Sequence, residues 1–318
     1  MNALALVTDS VIRSALKNYF QSAWERATGG HLVFHSVTQD CASYVELFHS
    51  YRNIITWNCR MPHRWLTTKG KNLLFIENAL LDQRSGIFID SRGFFSNSNL
   101  RRGSGWKSEI LEWPETENFV REHFGWEPFA GGCKDGPILV CLQNGPDSNL
   151  QQEFPLGQKS TDKVGATLEL IAKHLPGDRR IVIRPHPRFI ETWKNAEAIY
   201  MQTCWKGEWE LNMGGNIYSL LPKCSALVTV NSTVVTEALS LAMPVATLGT
   251  GVFTGAGFTL ECADQPARLR ELETFRPSGG LCRRFVSHVL ENHHLPYDIE
   301  PSRTCKELER WLERADEV

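Results

Sequence analysis

The sequence predicts an α/β fold in which two Rossmann-like domains face a cleft and helices follow at the C-terminal end. Short apolar runs alternate with longer segments whose apolar residues recur at helical spacing, which is the pattern of βαβ units with a parallel sheet. The alternation starts twice, on either side of a stretch rich in glycine and proline at residues 126–137. The length of 318 residues also fits two domains of about 150 residues each. One large doubly wound sheet is the alternative architecture.

Residues 1–130 are predicted to form the first Rossmann-like domain. A strand and a helix with apolar residues at helical spacing open it, and further short apolar runs follow. The strand candidates are "ALALVT" (3–8), "HLVFHSV" (31–37), "NIITWN" (53–58) and "NLLFIEN" (72–78), and the helix candidate is residues 10–27. The segment "SGIFIDSRGFF" (85–95) indicates a β-hairpin that turns at residues 91–93.

Residues 137–275 repeat the alternation and are predicted to form the second Rossmann-like domain. Its strand candidates are "ILVCLQN" (138–144), "RRIVIRP" (179–185), "ALVTVN" (226–231) and "PVATLG" (244–249), and its helix candidates are residues 163–175 and 232–242. Residues 276–318 are charged and form a predicted C-terminal helical segment. Two consecutive α/β halves with a helical end resemble the arrangement of the two-domain nucleotide-sugar transferases of the GT-B type.

The composition excludes several classes of protein. A formal net charge of -2 argues against a nucleic-acid binder, whose footprint is usually strongly basic. Nine cysteines without a CxxC pair indicate reduced thiols in a cytoplasmic protein and no zinc site. The N-terminal apolar run is too short for a signal peptide, and no apolar run reaches the length of about 18 residues that a membrane span needs. We therefore expect a soluble, cytoplasmic chain.

Common nucleotide-binding and catalytic motifs are absent from the sequence. The lack of a DxD motif disfavours a diphosphate donor bridged by a metal. The lack of GxGxxG, GxxxxGK[ST] and GxSxG disfavours a dinucleotide site, a P-loop and a hydrolase nucleophile elbow. What remains is a metal-independent anion site built from His, Arg, hydroxyl groups and a helix end, with no cofactor.

One candidate anion-binding element follows the predicted strand at residues 179–185. His186 lies between two prolines, which remove backbone donors and fix φ, so the imidazole sits on a stiff loop beside Arg184. A histidine and an arginine in this position suit a phosphate, and a histidine can neutralise charge on a leaving phosphate. The alternative is a loop histidine that caps a neighbouring turn.

A second candidate element is the strand-to-helix turn at Asn231-Ser232-Thr233. These residue types are good N-caps, and a helix N-terminus offers N–H groups and the positive end of a dipole to an anion. Glu237 follows one turn later and is a candidate for binding ribose hydroxyls. The alternatives are an ordinary N-cap and, for Glu237, a residue on a solvated helix face.

Three further strand ends carry polar residues. Gln143 and Asp147 lie in the turn after the strand candidate 138–144, where Asp147 could act as a nucleophile or base. Because Pro-Asp is a favoured turn pair, local sequence alone favours a turn role for Asp147. Glu77 and Asp90 each end an apolar strand, where a buried, unpaired carboxylate is costly. The alternative for both is a charge at the sheet edge that meets water.

These motifs resemble those of the CMP-sugar-using GT-B transferases, including bacterial sialyltransferases. Their order is most similar to the retaining β-Kdo transferases of bacterial capsule and O-antigen assembly. The likeness covers residues 73–250 through short motifs: the acidic strands in "LLFIENALLDQRSGIFIDSRGFF", the turn in "LVCLQNGPDS", and the His-Pro element at His186.

The resemblance implies a role for each candidate residue. Asp147 matches the nucleophile of a double displacement, which retains the anomeric configuration, and Glu77 matches the acid/base that deprotonates the acceptor. The CMP-binding residues it implies are His186, Asn231, Ser232, Thr233 and Glu237, to which we add Arg184. Gln143 and Asp90 are assigned to the sugar. The first domain would serve the acceptor and the second the CMP-sugar.

The resemblance also implies partners and leaves alternatives. The expected partners are a CMP-sugar donor and a lipid-linked or oligosaccharide acceptor, with peripheral contact to the inner membrane through the terminal helices and membership of a polysaccharide assembly complex. Asn78-Ala79 stands where capsule members often carry Asp-Gly, which favours the O-antigen branch. The alternatives are a CMP-sialic acid-dependent transferase and a non-catalytic CMP-binding module.

Overall fold

The structure of the protein is a computed structural model, and it describes most of the chain. The described residues are 2–7, 15–36, 41–57, 70–83, 85–92, 98–102, 105–107, 113–143, 154, 162–187, 205–297 and 302–316. The chain forms two compact units. The first unit comprises residues 1–79, 83–99 and 293–318, and the second comprises residues 80–82 and 100–292.

The first unit is built on a six-stranded sheet with the strand order β12-β5-β4-β3-β1-β2. The strands are β1 (Ala3–Val7), β2 (Leu32–Ser36), β3 (Asn53–Trp57), β4 (Asn72–Asn78), β5 (Gly86–Asp90) and β12 (His294–Pro296), and the helices are α1 (Ala15–Thr28), α2 (Cys41–Ser50) and α9 (Ser302–Asp316). Strands β1 to β4 run parallel, whereas β5 runs antiparallel to both β4 and β12. β1 and β3 are buried along their whole length, as expected for central parallel strands covered on both faces.

The second unit is built on a six-stranded sheet in which every strand is parallel to its neighbours, with the order β11-β10-β9-β6-β7-β8. The strands are β6 (Ile138–Cys141), β7 (Ile181–Arg184), β8 (Trp209–Leu211), β9 (Ala226–Thr229), β10 (Val245–Thr247) and β11 (Leu260–Glu261). The helices are α4 (Trp113–Phe124), α5 (Lys163–His174), α6 (Ile217–Leu220), α7 (Val234–Ser240) and α8 (Gly279–Asn292), while the short helix α3 (Asn99–Arg102) spans the boundary between the units. This is the strand order of the Rossmann fold, in which β6 is the first strand and the order reverses between β6 and β9.

The division into units differs from the predicted boundaries at 130, 137 and 275. The chain returns to the first sheet at its end, because β12 pairs with β5 and α9 packs its buried Trp311 against Trp24 of α1. Helix α4 belongs to the second unit, where Thr116 donates a hydrogen bond to Ser287 of α8. The predicted linker at 126–137 is also part of the second unit, since its backbone N–H groups bond to carbonyl groups there, for example Gly131 to Leu241.

The apolar side of α9 is packed inside the first unit. Leu308 and Trp311 are buried, and the Trp311 indole donates a hydrogen bond to the carbonyl of Leu73. This face of the helix is therefore occupied within the first unit, and the contact of the terminal helices with a membrane stays a prediction. Among the described residues, no helix is long and apolar enough to cross a bilayer.

Candidate functional site

The centre of the candidate site is the carboxyl edge of the second sheet, where the strand order reverses. Gln143 follows β6 and Asn231 follows β9, and the two residues bind each other twice. The Gln143 amide nitrogen donates to the Asn231 side-chain oxygen at 2.9 Å, and the Asn231 backbone N–H donates to the Gln143 side-chain oxygen at 2.8 Å. Both residues are buried. In open α/β sheets ligands bind in the crevice at such a reversal point.

The pair is tied to a third strand end. The side-chain nitrogen of Asn231 donates to the carbonyl of Thr250, which follows β10, at 2.8 Å. The ends of β6, β9 and β10 are thereby fixed to one another by side-chain hydrogen bonds. Gln143 is predicted to bind sugar, but both ends of its amide are engaged with Asn231. The geometry favours a positioning role for Gln143, and the sugar-binding role stays a prediction.

Ser232 and Thr233 lie in the turn that leads into α7, and both are half-buried. The first-turn N–H groups are already bonded within the turn. The N–H groups of Val235 and Thr236 donate to the carbonyls of Ser232 and Thr233 at 3.1 and 2.9 Å. The N–H of Val234 donates to the Ser232 hydroxyl oxygen at 3.4 Å. These three N–H groups are engaged within the turn, so the predicted phosphate interaction would use other donors of the turn, such as the two hydroxyl groups.

His186 and Arg184 lie at the end of β7, next to β6 in the sheet. The His186 side chain is half-buried on the loop that follows the strand. The guanidinium of Arg184 donates three hydrogen bonds to the segment after β8, to the side chain of Asn212 and to the carbonyls of Gly214 and Gly215. Arg184 thus holds this loop in place. The guanidinium has five N–H donors. Its contact with phosphate stays a prediction and would use the donors that do not bond to this loop.

The spacing of the strands sets the distance between these groups. Neighbouring strands lie about 4.8 Å apart, so the residues after β7 and β9, which flank β6, are separated by about 10 Å at this edge. The arrangement presents an imidazole on one side of Gln143 and two hydroxyl side chains on the other. Such an edge suits an anionic group with several oxygen atoms, which can accept hydrogen bonds from both sides.

Glu237 is buried, so it does not lie on a solvated helix face. Its carboxylate accepts a hydrogen bond from the Tyr218 hydroxyl at 3.1 Å. The same hydroxyl lies 3.1 Å from the carboxyl group of Asp82, which is also buried in the second unit. Burial raises the pKa of Tyr218, and the neighbouring charges of Glu237 and Asp82 raise it further. The phenol therefore keeps its proton and acts as a donor.

Glu77 lies near the end of β4, at the carboxyl edge of the first sheet. Its side chain is half-buried, and one oxygen accepts hydrogen bonds from the backbone and the side-chain nitrogen of Asn78 at 2.9 and 3.0 Å. Burial raises the pKa of Tyr297, and the nearby charge of Glu77 raises it further. Glu77 is thus a partly accessible carboxylate held by its neighbour, a position compatible with the predicted acid/base role.

Asp90 has a structural environment. Its side chain is fully buried and accepts four hydrogen bonds, from the Ser98 hydroxyl, from the N–H groups of Arg92 and Asn99, and from the Asn99 side chain, at 2.6–3.2 Å. The antiparallel direction of β5 also places Asp90 opposite Phe75, away from the carboxyl edge where Glu77 lies. The predicted sugar-binding role of Asp90 therefore has no support in this geometry.

Asp147, the predicted nucleophile, lies outside the described residues. Within the described part of the chain, no group of three His, Cys, Asp or Glu side chains could hold a metal ion. The sequence does not identify Asp82, Tyr218 or the Thr250 carbonyl. Tyr218 lies in a four-residue helix without a recognisable motif, and a backbone carbonyl leaves no trace in the residue type.

Comparisons with known proteins agree with this architecture. The family model described as "Capsule polysaccharide biosynthesis protein" matches residues 130–298, more than half of the chain. Two solved structures from Thermosulfurimonas dismutans share the fold. KpsC, beta Kdo 2,7 transferase, is 13% identical with a TM-score of 0.58, covering 98% of this chain and 99% of that chain. KpsC, beta Kdo 2,4 transferase, is 16% identical with a TM-score of 0.53, covering 96% and 98%.

No curated protein sequence matches the chain. The predicted fold class, an α/β architecture with two Rossmann-like sheets, is confirmed by the sheet topology and by the shared fold. The predicted likeness to a capsule-assembly family is confirmed by the family match.

Proposed function

We propose that this chain, which belongs to the capsule polysaccharide biosynthesis protein family, is a glycosyltransferase that transfers Kdo from CMP-β-Kdo to a glycan acceptor in capsule or O-antigen assembly. The observation that carries the proposal is the polar carboxyl edge of the second sheet. There the reversal of strand order coincides with the Gln143–Asn231 pair, flanked by His186 and by the hydroxyls of Ser232 and Thr233. The two structures named above, titled as Kdo transferases, share the fold and support the choice of sugar.

The second unit binds the CMP part of the donor in this proposal. The hydroxyls of Ser232 and Thr233 donate hydrogen bonds to the phosphate, and His186 offsets the charge that develops as CMP leaves. Glu237 accepts hydrogen bonds from the ribose hydroxyls, as carboxylates commonly do in nucleotide sites. The negative charge is stabilised by side-chain donors, so the proposal includes no metal and no cofactor.

The transfer is proposed to proceed by double displacement with retention. The carboxylate of Asp147 attacks the anomeric carbon of Kdo, the bond to the phosphate breaks, and CMP departs with the electron pair. Glu77 then takes the proton of the acceptor hydroxyl, whose oxygen attacks the anomeric carbon and releases Asp147. Two carboxylates with these roles are the minimal set for a double displacement, whereas a front-face route, the other way to retain the configuration, needs no enzyme nucleophile.

The test is a transfer assay with CMP-Kdo and an oligosaccharide acceptor, without added metal. The wild-type protein is expected to glycosylate the acceptor, whereas Asp147→Ala and Glu77→Gln are each expected to lose at least about 100-fold in rate. His186→Ala is also expected to lower the transfer rate, because the charge that develops on the departing CMP is no longer offset. If Asp147→Ala turns over like the wild type, Asp147 is not the nucleophile.

A second measurement separates the double displacement from other routes. Glu77→Gln incubated with CMP-Kdo is expected to accumulate a covalent Kdo adduct that peptide mapping places on Asp147, because the acceptor is no longer deprotonated efficiently. An inverting sialyltransferase needs only a base and forms no adduct. CMP binding without turnover of any donor would instead indicate a non-catalytic module.

A further inference from the structure

We propose that Tyr218 and Asp82 are positioning residues that hold Glu237 for the ribose of the donor and thereby give the site its preference for a ribonucleotide. The inference rests on the proposed CMP site and adds two residues to it. Neither residue belongs to a recognised motif, and Asp82 lies in a three-residue segment that is separated in sequence from the rest of the second unit.

The geometry joins the three side chains through one oxygen atom. The Tyr218 hydroxyl lies 3.1 Å from Oε1 of Glu237 and 3.1 Å from Oδ1 of Asp82. The two carboxyl groups are therefore within about 6 Å of each other, close enough for like charges to interact. Tyr218 is the bridge between them, because its oxygen is the atom that both groups approach and its single hydrogen is donated to one carboxyl oxygen at a time.

The surroundings strengthen the bridge. The ring of Tyr218 packs against Phe124, with ring centroids 4.7 Å apart, and against Trp126, with centroids 6.0 Å apart. All three residues of the bridge are at most 8% exposed. A hydrogen bond to a carboxylate in such a weakly polarisable environment is strong, and its loss is costly.

The backbone at Asp82 has an uncommon conformation where it makes this contact. Asp82 has a φ of 42°, in the left-handed region that costs free energy for a residue other than glycine. Residues 80–82 belong to the second unit, whereas their neighbours on both sides belong to the first. This excursion brings the carboxyl group of Asp82 to the Tyr218 hydroxyl.

Holding one oxygen of a carboxylate fixes the plane of the group and hence the position of the other oxygen. Glu237 lies one helical turn after Thr233, which is a proposed phosphate contact, so its carboxylate has to be placed to reach a ribose attached to the same phosphate. With Tyr218 removed, the Glu237 side chain can adopt other rotamers, and ribose recognition weakens while the phosphate contacts remain.

The test compares the binding of CMP and of 2′,3′-dideoxy-CMP, which lacks both ribose hydroxyls, by calorimetry. The wild-type protein is expected to prefer CMP by at least about tenfold. Tyr218→Phe is expected to weaken CMP binding about tenfold and to leave the affinity for the dideoxy nucleotide within about twofold of the wild-type value. The preference for CMP then disappears. Tyr19→Phe is the matched control, since the Tyr19 hydroxyl bonds to the carbonyl of Pro296 in the first unit.

Asp82→Asn provides a second variant if Tyr218→Phe does not fold, because asparagine also adopts a positive φ and keeps the shape of the side chain. It is expected to reduce the preference for CMP without abolishing it. An unchanged ratio of the two affinities in a folded variant, or equal affinities in the wild type, would overturn this inference while leaving the proposed function intact. If the wild type does not bind CMP at all, the proposed function fails and this inference fails with it.

Discussion

The Gln143–Asn231 pair allows the positioning role of Gln143 to be tested directly. Replacing Gln143 by leucine keeps the apolar part of the side chain and removes both of its hydrogen bonds. The Asn231 backbone N–H and the Asn231 side-chain oxygen then lose their partners at 2.8 and 2.9 Å. Because Asn231 is only 8% exposed, water can replace these partners only in part.

The expected cost follows from these two buried groups. A buried polar group left without a partner costs about 1–3 kcal/mol, and the gain from burying a leucine offsets part of the total. We therefore expect Gln143→Leu to lower the free energy of unfolding of the second unit by about 3 kcal/mol. For a unit of this size such a loss corresponds to a fall of about 6–12 °C in the melting temperature.

The assay is thermal unfolding of the purified variant by differential scanning calorimetry, with Gln21→Leu as the matched control. Gln21 donates a hydrogen bond to Glu25 on the exposed side of α1, so its replacement is expected to change the free energy of unfolding by less than about 0.5 kcal/mol. A Gln143→Leu variant that unfolds like the wild type would refute the positioning role. Loss of transfer activity at unchanged stability would instead support the predicted contact with sugar.

Three other predictions concern stability and thiol reactivity. Asp90→Ala is expected to lower the free energy of unfolding by about 3 kcal/mol, because four donors lose their acceptor. Urea titration measures this loss, and an unchanged midpoint would contradict the structural role of Asp90. Gly136→Ala is expected to lower the free energy of unfolding by about 1–3 kcal/mol, since the new Cβ would collide with the backbone carbonyl oxygen of Lys223. Gly177→Ala is the control, because the space around Gly177 is open. Equal effects of the two substitutions would contradict the contact. The folded protein is alkylated at mildly alkaline pH and analysed by mass spectrometry. We expect Cys133 to be labelled and Cys141 to be protected, because Cys133 is exposed and burial raises the pKa of Cys141 to about 12. Rapid labelling of Cys141 would contradict its burial.

The sequence predicts the central strands well, because their signal is local. β6, β7 and β9 are continuous apolar runs, and each lies within its predicted segment. The strands β8, β11 and β12 are not predicted. They have two or three residues each, and β12 exists through its pairing with β5, where His294 lies opposite Phe88. A contact between residues so far apart in sequence leaves no local pattern.

The antiparallel part of the first sheet shows the same limit. The sequence indicates a hairpin that turns at residues 91–93, and residues 93–97 lie outside the described residues. In the structure β5 pairs antiparallel with β4, to which the segment 79–85 joins it, and with β12. That segment includes residues 80–82, which pack in the second unit. Its conformation therefore depends on tertiary contacts that a turn signal does not contain.

The sequence identifies residues of the candidate site better than it identifies the contacts between them. Gln143 and Asn231 are identified because polar residues that end apolar strands are conspicuous, but their mutual hydrogen bonds join positions 88 residues apart. For Asp90 the same type of signal marks a candidate site residue, to which the resemblance adds sugar binding, whereas the structure surrounds its carboxylate with four donors. A strand-end carboxylate looks alike in sequence whether it meets a ligand or the protein's own N–H groups.

The proposed transfer of Kdo can be tested by a competition between two donors. The protein is incubated with one oligosaccharide acceptor and equal concentrations of CMP-Kdo and CMP-sialic acid, and the mass of the acceptor is measured by mass spectrometry. We predict that the acceptor gains the mass of one Kdo residue in the wild type and gains nothing with Asp147→Ala. A gain of sialic acid, or an acceptor unchanged by the wild type with both donors, would contradict the proposed Kdo transfer.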